Sequence, residues 1–289
     1  MKTKTNRIVV AVALVAALAA SAPLRAADCG EPRISVFASA VKKLARDRGV
    51  TVAAAADMLH SVGVRGFDAD ARDADLPALA ATRLKPANIY FFPDMLGPDN
   101  GAADCRFCFD VAERFGAPRV MIVPPNFTEG GDMSAEFGRV VSSMRMFVAE
   151  GRRRGITVTV EDFGGEANPC SHVKYLKRLL DEIPGLCFAL DSGNLLYAGR
   201  GEDILEMMAY AKGRIAHVHL KDQRPENPRR YETLGLGAVP NEKIVKTIAA
   251  DGYDGWYTLE NFVGEVMADA VRQVGVLKLW LSEQAAGAR

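Results

Sequence analysis

The chain of 289 residues carries 36 Lys and Arg residues against 36 Asp and Glu residues, so its formal net charge at pH 7 is zero. Its longest run of basic residues covers only residues 152–154. Proteins that bind nucleic acid through phosphates need a concentrated positive surface, so we predict no nucleic-acid partner. The length suits one large α/β barrel as well as two smaller domains.

The first 26 residues have the three regions of a secretory signal peptide. Basic residues precede an entirely apolar run over residues 8–20, and small residues then lead to Pro23. That run is too short to span a bilayer. We predict cleavage after Ala26 or Ala22 and a periplasmic or secreted protein without stable membrane association. A retained membrane anchor is the alternative.

Eight short apolar segments, rich in β-branched residues, recur along the rest of the chain. The predicted strands are "RISVF" from Arg33, "VRGFD" from Val64, "ANIYFF" from Ala87, "PRVMIV" from Pro118, "ITVTVE" from Ile156, "LCFALD" from Leu186, "IAHVHLKD" from Ile215 and "GWYTLE" from Gly255. Between them lie segments with apolar residues at spacings of three and four, as in "HVKYLKRLLDEIPG" from His172, which predict helices.

Strands that alternate with helices favour a parallel sheet with crossover helices. Eight such units in about 260 residues match the size of a (β/α)₈ barrel. We therefore predict an α/β fold, a TIM barrel that forms one domain over residues 27–289. A doubly wound open sheet is the alternative, but no glycine-rich phosphate turn follows the first strand. The early segments "AVKKLARDRG" and "ADLPALAATRL" are short or irregular as helices.

Four consecutive predicted strands end on residues that can bind a metal. The apolar runs lead to Glu161, Asp191, His219 and Glu260. In a TIM barrel the active site lies at the carboxyl ends of the strands, so these side chains should meet at one mouth. Three carboxylates without a cation would repel one another and be costly to desolvate. The pattern therefore predicts a divalent metal, and this mixed oxygen and nitrogen set does not choose among Mn, Mg, Co and Zn.

His217 lies two residues before His219 and so points to the same face of the strand. If His219 faces the mouth, His217 lies roughly 6 to 7 Å deeper. We interpret His217 as a hydrogen-bonded histidine of the barrel interior that supports the metal ligand rather than as a ligand itself.

The five cysteines follow the predicted signal region, and an oxidising compartment permits disulfides. Cys187 lies in an apolar strand and is predicted to be a buried core thiol. Cys105 and Cys108 form a lone CxxC pattern on a predicted helix, where neither a zinc site nor a thioredoxin-like context is supported. We predict one disulfide among Cys29, Cys105, Cys108 and Cys170.

The motifs "VTVEDF", "ALDSGN" and "HVHLKD", with the tail "GLGAVPNEKIVKTIAADGYDGWYTLEN", closely resemble the sugar phosphate isomerase/epimerase family. These xylose isomerase-like TIM barrels include tagatose and psicose 3-epimerases, hydroxypyruvate isomerase, inosose isomerases and dehydratases, and apurinic endonucleases. The resemblance is clearest from residue 156 onwards, and the block over residues 217–260 is specific.

The resemblance implies that one divalent metal ion is held by Glu161, Asp191, His219 and Glu260. It also implies that Glu161 and Glu260 act as the acid and base pair of the isomerases and epimerases. The chemistry is coherent, because a cation that polarises a carbonyl stabilises an enediolate while two carboxylates give and take the proton.

The sequence departs from many relatives three positions after the sixth-strand aspartate, where Asn194 replaces a histidine that contacts substrate. An amide can hydrogen-bond a hydroxyl but cannot shuttle protons, so substrate or reaction should differ from the 3-epimerases. In the polar loop after His219, Lys221 and Arg224 are candidates to hold substrate oxygens. Glu166 is a further candidate substrate contact.

The endonuclease branch is excluded by counting histidines. Those relatives use several histidines for a multi-zinc cluster, whereas this chain has His60, His172, His217 and His219 only. The expected partner is therefore a small carbohydrate. Because relatives are often dimers or tetramers, a homo-oligomer stays open.

Three functions compete at this point. The first is a metal-dependent isomerase or epimerase of a sugar, keto-sugar or cyclitol. The second is a lyase or dehydratase that abstracts the same proton and then eliminates, for instance from a 3-keto-glycoside or an inosose; an exported location favours such substrates over sugar phosphates. The third is a periplasmic sugar-binding barrel without catalysis.

Overall fold

The computed structural model of the protein describes residues 31–287, and its strands overlap all eight predicted segments. In chain order the strands are β1 (Arg33–Phe37), β2 (Gly66–Asp70), β3 (Lys85–Phe91), β4 (Arg119–Ile122), β5 (Thr157–Glu161), β6 (Cys187–Asp191), β7 (Ile215–Leu220), β8 (Asp222–Arg224), β9 (Asn227–Glu232) and β10 (Trp256–Leu259). Eight of them close into a barrel in the order β1-β10-β7-β6-β5-β4-β3-β2. Neighbouring barrel strands are parallel, so the predicted TIM barrel is confirmed.

Helices connect the strands and surround the barrel. They are α1 (Ala38–Arg48), α2 (Val52–Ser61), α3 (Leu76–Ala80), α4 (Ala102–Phe115), α5 (Met133–Arg154), α6 (Val173–Glu182), α7 (Asn194–Tyr197), α8 (Asp203–Tyr210), α9 (Asn241–Ala250) and α10 (Val266–Gly287), with a short 3₁₀ turn at Pro169–Ser171. The irregular segment "ADLPALAATRL" yields only the five-residue α3, which has a proline at its start.

The long helix α5 shows how the sequence sets the ends of a helix. Asp132 precedes it and accepts the backbone N–H groups of Ser134 and Ala135, which would otherwise lack partners. Gly155 ends it with a φ of 70°, a left-handed conformation that glycine adopts without strain. The 22 residues between lay an apolar face on the barrel, including the buried Phe137 and Phe147.

The apolar core lies between the barrel and its helices rather than inside the barrel. On β1, Ile34 and Val36 are fully buried in this outer layer, whereas Ser35 between them hydrogen-bonds Thr258 of β10. On β7, Val218 belongs to the core and His217 contacts Asp68 of β2. Since β2 and β7 are not neighbours in the barrel, that contact crosses its interior. This part of the interior is therefore polar, and a small apolar cluster of Met121, Val123 and Ala189 lies elsewhere in it.

The polar loop after β7 contains an antiparallel hairpin formed by β8 and β9. The buried carboxylate of Asp222 organises this loop. Its Oδ1 accepts the backbone N–H groups of Gln223 and Val239, and its Oδ2 accepts those of Gly235 and Gly237, at 2.9–3.1 Å. This one side chain therefore ties the hairpin to the segment that leads into α9.

The predicted disulfide is wrong for its described candidates, because Cys105, Cys108 and Cys170 are free thiols. Cys105 and Cys108 lie three residues apart on α4, where the Cys108 thiol donates to the Cys105 carbonyl. Burial raises the pKa of Cys105 to about 12. Cys187 is also free but only partly buried, because it begins β6 instead of lying within it. Cys29 lies outside the described residues.

The predicted signal peptide, residues 1–26, also lies outside the described residues. Within residues 31–287, none of the helices combines the length and apolar character needed to cross a membrane.

Candidate functional site

Three of the four predicted ligands come together at the carboxyl ends of β5, β6 and β7. One ligand atom from each of Glu161, Asp191 and His219 lies within 4.8 Å of the others. All three side chains are buried, with exposed fractions between 0% and 5%. The parallel strands bring these residues to one level, as their positions at strand ends predicted.

The His219 imidazole is held between two carboxylates. Its Nδ1 lies 2.5 Å from Glu161 Oε1, and its Nε2 lies 3.0 Å from Asp68 Oδ2. Burial disfavours the charged ring, but Glu161 and Asp68 outweigh it and raise the pKa of His219 well above its usual value. The ring is therefore fixed in orientation by the groups at both nitrogens.

Glu260, the fourth predicted ligand, follows β10 and is held by Lys221 instead of joining this group. Lys221 Nζ donates to Glu260 Oε1 at 2.8 Å and to Asn194 Oδ1 at 3.0 Å, and it lies 3.2 Å from Asp191 Oδ2. Burial opposes the ionised form of Glu260, but the Lys221 ammonium outweighs it and holds the pKa of Glu260 below its usual range. Lys221, only 5% exposed, thus connects Asp191 of the three-residue group to Glu260.

Asp191 is oriented by the turn immediately after it. Its Oδ1 accepts the backbone N–H groups of Gly193 and Asn194 at 2.9 and 2.7 Å. Its other oxygen, Oδ2, has no hydrogen-bond partner among the described residues and lies 3.2 Å from the Lys221 ammonium. One oxygen of Asp191 is therefore committed to the backbone and the other is turned to the site.

Asp68, which the strand-end argument did not select, anchors both histidines of β7. His217 Nε2 lies 2.6 Å from Asp68 Oδ2, and Asn88 and Thr258 also donate to this carboxylate. Burial lowers the pKa of His217 to about 4, although Asp68 works against that shift. His217 Nδ1 has no partner within the described part of the chain, which fits a neutral ring that donates through Nε2. His217 thus contacts the same carboxylate as His219, and its supporting role stays a prediction.

Asp162 is a second residue that the sequence argument passed over. It is fully buried beside Glu161, and its Oδ1 accepts the backbone N–H of Asp191 at 2.8 Å. Burial raises the pKa of Asp162, and the neighbouring Glu161 carboxylate adds to the shift. The sequence signal that could have identified Asp162 was its position immediately after Glu161, an acid at the end of a strand.

Of the four predicted substrate contacts, Asn194 and Lys221 lie within this group and contact each other. The other two, Arg224 and Glu166, lie apart from it. Arg224 belongs to β8, and its Nε lies 3.5 Å from Glu232 Oε2 on β9, with 41% of the side chain exposed. Glu166 is exposed in the loop after β5, and its backbone carbonyl contacts His172.

The residues present fit a divalent cation. Among the described residues, five carboxyl groups meet here with one lysine, those of Asp68, Glu161, Asp162, Asp191 and Glu260. Burial raises the pKa of Asp191 as well as that of Asp162. A cation would favour the ionised acids and would supply a partner for the Asp191 oxygen that lacks a donor. Two carboxylates and an imidazole suit Mg²⁺, Mn²⁺, Co²⁺ or Zn²⁺.

A family model for xylose isomerase-like TIM barrels matches residues 15–280. The chain belongs to this family. The match extends over the whole barrel, including every strand that contributes to the site.

Individual relatives are more distant. An inosose dehydratase from Clostridium botulinum (strain Eklund 17B / Type B) is 33% identical over 86 residues, which cover 24% of this chain and 28% of that protein. The chain thus matches little more than a quarter of this curated relative.

Solved structures share the fold. An L-ribulose 3-epimerase aligns with a TM-score of 0.71 at 15% identity, over 89% of this chain and 97% of that one. The IolI protein with a bound zinc atom aligns with a TM-score of 0.69 at 14% identity, over 87% and 98%.

Proposed function

We propose that the protein is a divalent-metal-dependent enzyme that isomerises or epimerises a sugar, keto-sugar or cyclitol by moving a proton beside its carbonyl. The observation that carries this proposal is the arrangement of two glutamates at one mouth. Glu161 ends β5 and Glu260 follows β10, and the strands of Asp191 and His219 lie between them. A substrate held there would have a carboxylate on each side.

Glu161, Asp191 and His219 would hold the metal. Glu260 lies close enough in the fold to bind it as a fourth ligand. The metal would supply Lewis-acid polarisation of a carbonyl oxygen. The protein's own residues would do the rest. Glu161 and Glu260 would remove and return the proton, and Lys221 and Asn194 would hold substrate oxygens beside Glu260. The zinc in the IolI structure supports a metal in this family of folds.

A second candidate is elimination, and the Lys221 ammonium favours it. After a carboxylate has removed the proton beside the carbonyl, a leaving hydroxyl on the next carbon needs a proton as its C–O bond breaks. Lys221 Nζ, 2.8 Å from Glu260, could donate a hydrogen bond to that hydroxyl while the carboxyl group that took the proton passes it on, which would release water and leave a double bond. The local identity to an inosose dehydratase supports the same candidate.

Product analysis separates the two candidates. Protein reconstituted with Mn²⁺, Co²⁺ or Zn²⁺ would be incubated with keto-sugars, inososes and 3-keto-glycosides, and products weighed by mass spectrometry. Isomerisation retains the substrate mass, whereas elimination loses water or an aglycone. Glu260→Gln should lower kcat by at least a hundredfold in either case, with the surface variant Glu242→Gln as the control.

Absence of turnover on every substrate, together with saturable sugar binding that needs no metal, would contradict the proposal and favour the sugar-binding barrel. We also infer an exported location from the predicted signal peptide. Amino-terminal sequencing of protein from a periplasmic fraction should then begin after Ala26 or Ala22, and a chain that begins at Met1 would contradict it.

A further inference from the structure

A continuous series of aromatic rings leads from the metal-ligand group to the rim of the barrel. We call Phe37, Tyr90, Phe92 and Phe163 the aromatic band. The Phe37 ring lies 5.0 Å from the His219 ring and 5.4 Å from Tyr90. Phe92 lies 6.1 Å from Tyr90 and 6.2 Å from Phe163, in edge-to-face geometry. These separations are typical of interacting aromatic pairs.

Strand alternation directs these rings into the mouth. Ser35 and Asn88 face the barrel interior, where they hydrogen-bond Thr258 and Asp68. Phe37 lies two residues after Ser35, and Tyr90 and Phe92 lie two and four residues after Asn88, so they continue the same inward faces. Phe163 follows the inward Glu161 in the same way.

The band forms one side of a mouth that is divided by polarity. Behind Tyr90 and Phe163 lies a small apolar cluster inside the barrel, made of Met121, Val123 and Ala189. Most of the acids, together with Lys221, come instead from β5, β6 and the residues that follow β7 and β10. Asp68 and Asp70 of β2 are the exceptions on the aromatic side: Asp68 holds the two histidines of β7, and the Asp70 carboxylate accepts the backbone N–H of Arg72.

The outer pair of the band, Phe92 and Phe163, extends beyond the level of the acids. Phe163 lies two residues past Glu161, which is roughly 6 to 7 Å farther along an extended chain. Phe92 packs on it and keeps 46% of its surface exposed. A sugar ring held at the acids would meet Phe37 and Tyr90, and only a substituent on that ring would reach the outer pair. An exposed aromatic next to a reactive site is a natural contact for such a group.

We propose that Phe92 and Phe163 form a subsite for an apolar, planar group attached to the reacting sugar ring, so that the substrates are glycosides with an aromatic or similarly flat aglycone. This inference rests on the proposed function, because it takes the acids as the place where the sugar ring is held. The charged side of the mouth binds the oxygen-rich ring, and the aromatic side binds the aglycone.

The test compares probes that differ only in the attached group. Phenyl and methyl 3-keto-β-D-glucosides, and the corresponding 3-keto-β-D-galactosides, are titrated calorimetrically into the metal-loaded full-length mature protein. Chromatography after each titration verifies that the probe is intact. One stacked ring is expected to give the phenyl probes about tenfold tighter binding than the methyl probes.

Two phenylalanine variants locate the preference. Phe92→Ala should bring the Kd of the phenyl probe to within about twofold of the methyl probe and leave the methyl value unchanged. Phe107→Ala is the matched control, since Phe107 is 41% exposed but lies on α4 against Phe91 of the outer layer. Phe107→Ala should keep the full preference for the phenyl probe. If Phe92→Ala merely destabilised the protein, it would weaken the binding of both probes equally.

Equal binding of both probes by the wild type, or a preference that survives Phe92→Ala, would overturn the subsite. Failure of both probes to bind, with free keto-sugars still turned over, would overturn it as well and leave the proposed function standing. A phenyl preference that depends on Phe92, without turnover of any substrate, would support the subsite and count against the proposed reaction.

Discussion

Asp68 is the residue on which both histidines of β7 converge. The Nε2 atoms of His217 and His219 share its Oδ2, and Thr258 donates to Oδ1, so the carboxylate fixes two rings by hydrogen bonding at the base of the site. Groups that orient a metal-ligating histidine tune its affinity almost as strongly as the ligands themselves. Asp68 is therefore a positioning residue whose effect should be seen in metal binding.

Replacing Asp68 with Asn should weaken metal binding by about 10- to 100-fold. The amide keeps the shape of the side chain but removes one of the two negative charges beside His219. Competition with a chromogenic chelator measures the affinity. Asp70→Asn is the control, because Asp70 lies on the same strand and contacts the backbone of Arg72 instead of a histidine. Equal affinity in wild type and Asp68→Asn would contradict the assigned position.

Much of this site can be predicted from the sequence, and the omissions have physical reasons. Glu161, Asp191 and His219 were predicted because each ends an apolar strand. The same rule, applied to "VRGFD", would also have selected Asp68. The contact between Lys221 and Glu260 could not be predicted. It joins the residue after β7 to the residue after β10, and these are 39 positions apart in the sequence.

At the scale of elements, the strand positions were predictable and the loops were not. Each barrel strand has an outward apolar set that the sequence displays directly, as in Ile34 and Val36. The loop after β7 has no such pattern, so its hairpin was not predicted. In that hairpin Arg224 lies near Glu232, and its substrate contact stays a prediction. Cys105 and Cys108 lie on a helix, as the sequence predicted, and both are free thiols.

The loop after β7 should depend on Asp222. Asp222→Ala removes the acceptor of four backbone N–H groups, and we expect a loss of roughly 3 kcal/mol of stability. Hydrogen exchange should show faster exchange at the amides of Gly235, Gly237 and Val239. Asp132→Ala, which removes the cap of α5, should leave these amides protected. Unchanged protection in Asp222→Ala would show that other contacts hold the loop.

The contact between α4 and α5 should depend on pH through Glu150. This carboxylate accepts hydrogen bonds from Arg153 and Arg154, which lower its pKa to about 2. Arg154 also reaches Asp110 on α4 at 2.7 Å. Because the folded pKa lies below the unfolded value, the stabilisation is present above about pH 4.5 and is lost as the pH falls towards 2.

The measurement is the unfolding free energy of wild type and Glu150→Gln across that range. The difference in unfolding free energy between wild type and Glu150→Gln should shrink by roughly 1 to 2 kcal/mol on acidification. The solvent exposure of Arg153 limits the size of this change. Glu206→Gln, which removes a surface partner of Lys177, should show a smaller change. A difference that is constant with pH would contradict the assigned pairing.

At the scale of the whole molecule, the closed barrel brings residues that are far apart in sequence to one mouth. Residues from Pro32 onwards form one compact unit, in which Glu161 and His219 are 58 positions apart in sequence and 2.5 Å apart at their polar atoms. The eight apolar segments that alternate with helical segments predicted this architecture, and the family match is consistent with it. The metal content of the intact protein is the property that tests the site as a unit.

Elemental mass spectrometry of the purified protein should find about one divalent ion per chain. The ion should be lost in Glu161→Gln and in His219→Ala, because each removes one of three clustered ligands. Glu166→Gln, which alters an exposed acid five residues after Glu161, should retain it. Metal binding should also raise Tm in the wild type and not in the two ligand variants. An apoprotein that takes up none of Mn²⁺, Co²⁺ or Zn²⁺ would refute the metal centre.

Alternation along the strands of this barrel separates two tasks, packing against the helices and lining the interior. Outward residues such as Ile34 and Val218 pack against the helices, while their neighbours Ser35, His217 and His219 face the interior. The inward positions of a strand can therefore be varied without emptying the hydrophobic layer, provided that each buried polar side chain is replaced together with the group it contacts.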